Sequence, residues 1–297
     1  MPNQQLFKIF KKSKRILLFL FKQKFLIPDS YIFNKISKSK YNNYLSYFYS
    51  EFKSFMTIQQ QNEIQKQLPD NELYEKYRQE GENENYICKL IRNDSIIDFV
   101  THITRNPKSL SSKIQPSIYE TNSFLINKTL SLFEYAAFYG SIQIFQYLIN
   151  NNIEFSSNLL TYAIHGKNED IIHLLENQKI ESTTDTKKLN ISYQSLYLES
   201  IKCHHNKIAK YFYSNYIQDS ENNEKSKDFI LFYYENYNYQ FIPHDLIIKN
   251  LKFLCKYDYL YYFYYHTCQN LKYVIDTLLP PKNQSNWNTT NEFSYLI

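Results

Sequence analysis

Residues 131–175 write one pattern twice. SLFEYAAFYGSIQIFQYLI is followed by LLTYAIHGKNEDIIHLLEN, and without a gap Ala136 falls on Ala163, Ile144 on Ile171, Phe145 on Ile172 and Leu148 on Leu175. Each copy reads as two short helices joined by a tight turn. Ala136 and Ala163 are small enough to let a partner helix come close, and Ile144, Phe145 and Leu148 have the i, i+1, i+4 spacing of one helical face. Gly140 stands where the first helix must end and the chain reverse, a place that often requires positive φ. A helix pair repeated at an interval of 27 residues is the mark of a solenoid, in which each unit packs only on its neighbours.

The pattern extends in both directions. Downstream, SIKCHHNKIAKYF sets Ser200 on Ala136, Ile208 on Ile144 and Phe212 on Leu148. Upstream, CKLIRNDSIIDFV sets Cys88 on Ala136, Ile96 on Ile144, Ile97 on Phe145 and Val100 on Leu148. A frayed copy begins at Leu254, and the interval before it leaves room for a degenerate unit around FILFYYENYNYQF, residues 229–241. The expected fold is therefore all-α: a helical-hairpin array over residues 86–265, preceded by a helical N-terminal domain or cap over 1–80. Gly81–Asn85 would be the boundary, and a weakly ordered tail would occupy 280–297.

The template resembles the ankyrin repeat, with its small pair at Ala136-Ala137, its turn at Gly140-Ser141 and a decayed entry at Ser131-Leu132-Phe133-Glu134. In the second copy Lys167 falls opposite Gly140, and the glycine has moved to Gly166. The stretches YICKLIRNDSIIDFV (86–100), SSKIQPSIYETNSFLI (111–126) and ESIKCHHNKIAKYF (199–212) further resemble a family of divergent ankyrin proteins expanded in some protists. In that family the first part of the region is a domain of unknown function. The resemblance covers 86–212, and 228–265 more thinly. It implies an ankyrin-like solenoid with a protein-binding role and brings no catalytic residues.

Composition narrows the chemistry. Among 297 residues only 3 are glycine, too few for phosphate-cradling loops or a G-x-S-x-G elbow. The net charge of +5, from 34 basic and 29 acidic residues, is not gathered as nucleic-acid binding would require. Four separated cysteines, Cys88, Cys203, Cys255 and Cys268, form no C-x-x-C and fit a reducing compartment, so a cytoplasmic location is expected. The 30 Tyr and 22 Phe read as scattered helix-face residues rather than one sticky surface. The His204-His205 pair falls at an inter-helix turn; neighbouring side chains on a helix point apart and do not readily share an ion. No catalytic residue, metal site or cofactor is expected.

A binding surface is what remains. In ankyrin-like stacks the concave face is lined by the loops and the end of the first helix, which by position brings in Phe138, Tyr139, His165 and Lys202. Phe138 and Tyr139 can serve as aromatic anchors for a partner or pack on the next repeat. The expected function is a non-catalytic, monomeric scaffold for an unidentified protein partner. The alternative is a peripheral membrane adaptor anchored by residues 4–27, QQLFKIFKKSKRILLFLFKQKFLI. That segment has no acid before Asp29 and carries Lys8, Lys11, Lys12, Lys14 and Arg15, which could face an anionic membrane surface. The reading to prefer for the same segment is a terminal helix packed on its neighbours with solvated lysines, since isolated amphipathic segments usually face a core. Its apolar run is too short to span a bilayer and lacks the cleavage site of a secretory signal.

Overall fold

The computed structural model describes residues 2–38, 42–105, 110–151, 158–181, 192–217, 229, 232–233 and 235–241. The frayed copy from Leu254, the connectors at 182–188 and 219–227, the tail at 280–297, Cys255 and Cys268 lie outside the described residues. The fold is all-α in class, with a single two-residue strand pair among the described residues. It forms two units, Met1–Ile191 and one beginning at Ser192. No helix among the described residues is long and apolar enough to cross a membrane.

The first unit opens with short helices: α1 (Asn3–Phe10), α2 (Lys14–Lys22), α3 (Ser30–Ile36), α4 (Asn42–Tyr47), α5 (Tyr49–Phe52), α6 (Ile58–Gln65) and α7 (Asn71–Glu80). Side-chain caps set their starts: Ser13 for α2, Asp29 for α3, Thr57 with Gln60 for α6 and Asp70 for α7. Segment 4–27 is thus two helices, and their inner faces are core. Phe7, Leu17, Leu18, Phe21 and Leu26 are buried with Ile32, Ile36, Tyr44, Tyr47 and Phe52. Phe21 meets Phe48 and Phe52 edge-on, both at 5.5 Å, the preferred arrangement for aromatic pairs.

Lys14 is a correction to the expected row of surface cations. It lies three, four and seven residues before Leu17, Leu18 and Phe21, so it shares their buried stripe. Its ammonium donates to the carbonyls of Ile118 (2.7 Å) and Glu120 (3.1 Å) and lies about 5 Å from the ring centroids of Tyr44 and Tyr47.

Three helical hairpins follow in the same unit: α8 (Tyr86–Arg92) with α9 (Ile96–Arg105), α10 (Leu132–Tyr139) with α11 (Ile142–Asn150), and α12 (Leu159–Gly166) with α13 (Glu169–Glu181). Between the first two, strand β1 (Lys113–Ile114) pairs antiparallel with β2 (Leu130–Ser131). Ser131 and Glu134, the decayed repeat entry, form a capping box for α10. Ala136, Ala163, Ile144, Phe145, Leu148, Ile171 and Ile172 are fully buried. The first copy sits two residues out of the expected register. Ile97 is 80% exposed, whereas Phe99 and Ile103 are buried; Ser95 N–H bonds to Leu90 O as Ser141 N–H bonds to Ala136 O, so Leu90 rather than Cys88 is equivalent to Ala136.

The second unit contains α14 (Tyr193–Lys202) and α15 (Asn206–Phe212), with Ser200, Ile208, Ala209 and Phe212 buried. One turn geometry recurs among the described residues. A left-handed residue stands between paired helices at Asp94, Gly140, Lys167 and His204, and again at Tyr237. In four of these turns the following residue's N–H reaches a carbonyl five residues back: Ser95 to Leu90, Ser141 to Ala136, His205 to Ser200 and Asn238 to Tyr233. The turn at Tyr237 thus falls where the sequence leaves room for a degenerate unit, and the same geometry follows α2, with Lys24 left-handed and Phe25 N–H on Leu20 O.

Successive turns in the first unit are bonded to each other. The Asp94 carboxylate accepts from the N–H groups of Gln143 and Ile144, both at 3.0 Å, capping the next hairpin's α11. Asn168 donates to Gly140 O at 3.1 Å while its side-chain oxygen accepts from Ile171 N–H. Gly81–Asn85, the expected boundary, is instead tied down: Thr121 donates to Gly81 O, Asn83 to Gln115 O, and Ser117 to the Glu84 carboxylate.

Candidate partner-binding face

The four residues read as a surface divide. Phe138, at the end of α10, is covered, with only 9% of its surface exposed. Tyr139 is half-buried, its ring 4.7 Å from Tyr135 and 5.9 Å from the Arg92 guanidinium. His165 is half-buried and stacks over Phe138 at 5.9 Å. Lys202 is exposed in the second unit and pairs there with Glu199 at 3.0 Å. Phe138 is thus a packing residue rather than a free anchor.

What covers Phe138 is a residue absent from the sequence-based set. Phe124 lies in the connection between the first two hairpins and stacks on His165 at 3.7 Å, on Phe138 at 6.0 Å, and edge-on to Tyr162 at 5.1 Å. The Lys128 ammonium sits 3.5 Å from the centroid of the same ring. A ring atom and an ammonium cannot share one face at these distances, so His165 and Lys128 occupy opposite faces of Phe124. Asn122 positions the ring by accepting from Phe124 N–H at 2.9 Å, and Asn127 takes a left-handed φ of 62° to turn the chain toward Lys128. The run SSKIQPSIYETNSFLI was the only sequence signal for this feature; its Ser and Pro content reads as a turn-rich insertion, which conceals a packed aromatic. Phe124, Lys128 and His165 stay half-buried and form a small rim of two rings and one ammonium, while Tyr139 faces the Arg92 side with Tyr135.

Beneath the rim lies a buried polar layer. Arg92 donates to Asn83 O and to the Tyr135 hydroxyl, both at 2.8 Å, and its Nε pairs with Glu82 at 2.7 Å. Burial pushes the Cys88 thiol up to about 12, against the pull of Arg92. Burial also raises Tyr135 and Tyr139 far above the usual phenol range, and raises the Glu120 carboxyl. These shifts keep Cys88 a thiol, the unreactive form. Chemically the layer is a hydrogen-bonded tie between the N-terminal helices and the hairpins. The adjacent His204 and His205 differ likewise: the first is exposed in the left-handed turn, the second buried at the start of α15.

Lys14 gives this layer a pH signature. Burial lowers its pKa to about 8, with Glu120 opposing. The unfolded chain therefore holds more protons than the folded one between pH 8 and the ordinary lysine value, and stability contributed at this site rises with pH across that window. Cys88, shifted upward, acts in the opposite sense above its ordinary value near 9. The expected result is that wild type gains stability relative to Lys14→Met between pH 7.5 and 9, by roughly 1 kcal/mol. Urea unfolding of both proteins checks it; a difference that stays flat with pH would contradict the buried ammonium.

Comparison with protein-family models, with curated proteins and with solved structures gave no match to this chain.

Proposed function

We propose that the chain is a divergent, ankyrin-like helical-hairpin scaffold that holds a protein partner and performs no catalysis of its own. The recurrence of one left-handed turn between paired helices, at Asp94, Gly140, Lys167 and His204, carries the reading. The bonds that link one turn to the next support it, because nearest-neighbour coupling is what defines a repeat stack. The resemblance in sequence agrees with this and adds the binding role.

The partner would rest on the rim of Phe124, Lys128 and His165. Half-exposed aromatics held rigidly from behind lose little side-chain freedom on binding, which suits them as anchors. The test is affinity capture with the full chain and with Lys128→Glu/His165→Glu. The substituted protein is expected to keep its circular dichroism spectrum and to lose, by tenfold or more, a partner the wild type retains. An identical set of captured proteins from both would remove this rim from consideration.

A further inference from the structure

The core accounts for one face of α1 and α2 and leaves the other unexplained. Phe7, Leu17, Leu18 and Phe21 point inward. The outer positions are also rich in large apolar groups: Ile9 and Ile16, Phe19 (56% exposed), and in the turn after α2, Phe25 (67%) and Ile27 (64%). Among them stand the exposed cations Lys8, Lys12, Arg15, Lys22 and Lys24. Of these only Lys22 forms an ion pair with a described residue, Glu75 at 3.4 Å. No Asp or Glu occurs in residues 1–28. Exposed Ile and Phe found singly need no explanation, but five within nineteen residues, interleaved with exposed cations, do.

We infer that this outer face of α1, α2 and the following turn docks on the surface of an anionic lipid bilayer. The chemistry chooses the occupant. Cations alone would suit any polyanion, but nucleic acid offers nothing to bury Phe19, Phe25 and Ile27. An anionic membrane interface takes both: the side chains enter the headgroup boundary while the lysines pair with phosphates and serine carboxylates. The turn is held in place for this. Asn3 donates to Ile27 O at 2.8 Å and accepts from Ile27 N–H at 3.0 Å, and Lys24 reverses the chain in a left-handed conformation. Each cation near such a surface contributes about fivefold in affinity at low salt. The inference stands apart from the scaffold reading, since it uses no residue of the rim.

Removing residues 1–30 would expose the core they fill, so point substitutions are the proper test. Flotation of the full chain is measured with vesicles of phosphatidylcholine alone and with 30% phosphatidylserine, at low and high salt. Wild type is expected to float with the anionic vesicles at least tenfold better than with neutral ones, and less well as salt rises. Phe19→Ser/Phe25→Ser is expected to reduce flotation about tenfold, and Lys8→Glu/Lys12→Glu/Arg15→Glu about a hundredfold, while both melt as wild type does; all five positions are exposed. If one variant fails to fold, the other decides. Equal binding to neutral vesicles, unchanged flotation of a folded variant, or retention on heparin without flotation overturns the inference, the last assigning the face to a polyanion instead.

Discussion

Arg78→Met should cost the first unit about 4 kcal/mol. The Arg78 side chain is 1% exposed and bonds to Glu51 at 2.6 Å and to Glu75, with its guanidinium between the rings of Tyr47 and Tyr74 at 5.5 and 5.0 Å. Burial alone would lower its pKa; Glu51, Tyr74 and Glu75 together carry it upward. Methionine fills similar space but strands the Glu51 carboxylate, whose side chain is 14% exposed. One Glu51 oxygen and the Arg78 Nε–H already lack a hydrogen-bond partner among the described residues, so the loss of Arg78 adds a second unmet acceptor to the first. Urea unfolding would show the loss, and Glu51→Gln/Arg78→Met should recover more than half of it by removing the stranded charge. A single-variant cost below about 1 kcal/mol would mean that water reaches the pair.

Gly166→Ala tests the stacking itself, through the sign of its effect. In an ordinary helix interior this change stabilises by up to about 1 kcal/mol. Here a β-carbon would lie 2.3 Å from the carbonyl oxygen of Ala137 and 2.8 Å from that of Phe138. Both obstacles are backbone, so relief requires α12 to back away from α10, at a cost of about 3 kcal/mol. Thermal melting of the variant should fall by several degrees. A rise in melting temperature would refute the close approach of the two helices. The substitution also separates two roles one glycine could have played: Lys167 supplies the left-handed turn with φ of 54°, while Gly166 supplies the contact.

The hairpins at 131–175 were legible because small residues and apolar pairs recur there in a fixed frame. The first copy was not, since CKLIRNDS offers no glycine to mark its turn. Asp94 takes the left-handed position instead, which a short polar side chain tolerates, and the alignment slid by two residues. Lys14 was legible in principle, because its spacing to Leu17, Leu18 and Phe21 is helical; the neighbouring lysines disguised it. The acceptors that make its burial tolerable, the carbonyls of Ile118 and Glu120, stand over a hundred positions away. No local pattern encodes them. Phe124 was hidden for the same reason: its meaning depends on Phe138, Tyr162 and His165, brought beneath it only by the fold.

That long tether dictates an order of events at the ribosome. The amino-terminal helices leave the exit tunnel first, yet the groups that receive the Lys14 charge emerge only after residue 120, roughly 5 to 20 seconds later at ordinary synthesis rates. Throughout that delay the Lys14 ammonium has only water to bond to, and burying it on the apolar side would strip that water with nothing in exchange. Burial of the stripe that holds Lys14 is thus coupled to the arrival of Ile118 and Glu120, and a segment made early closes its core late.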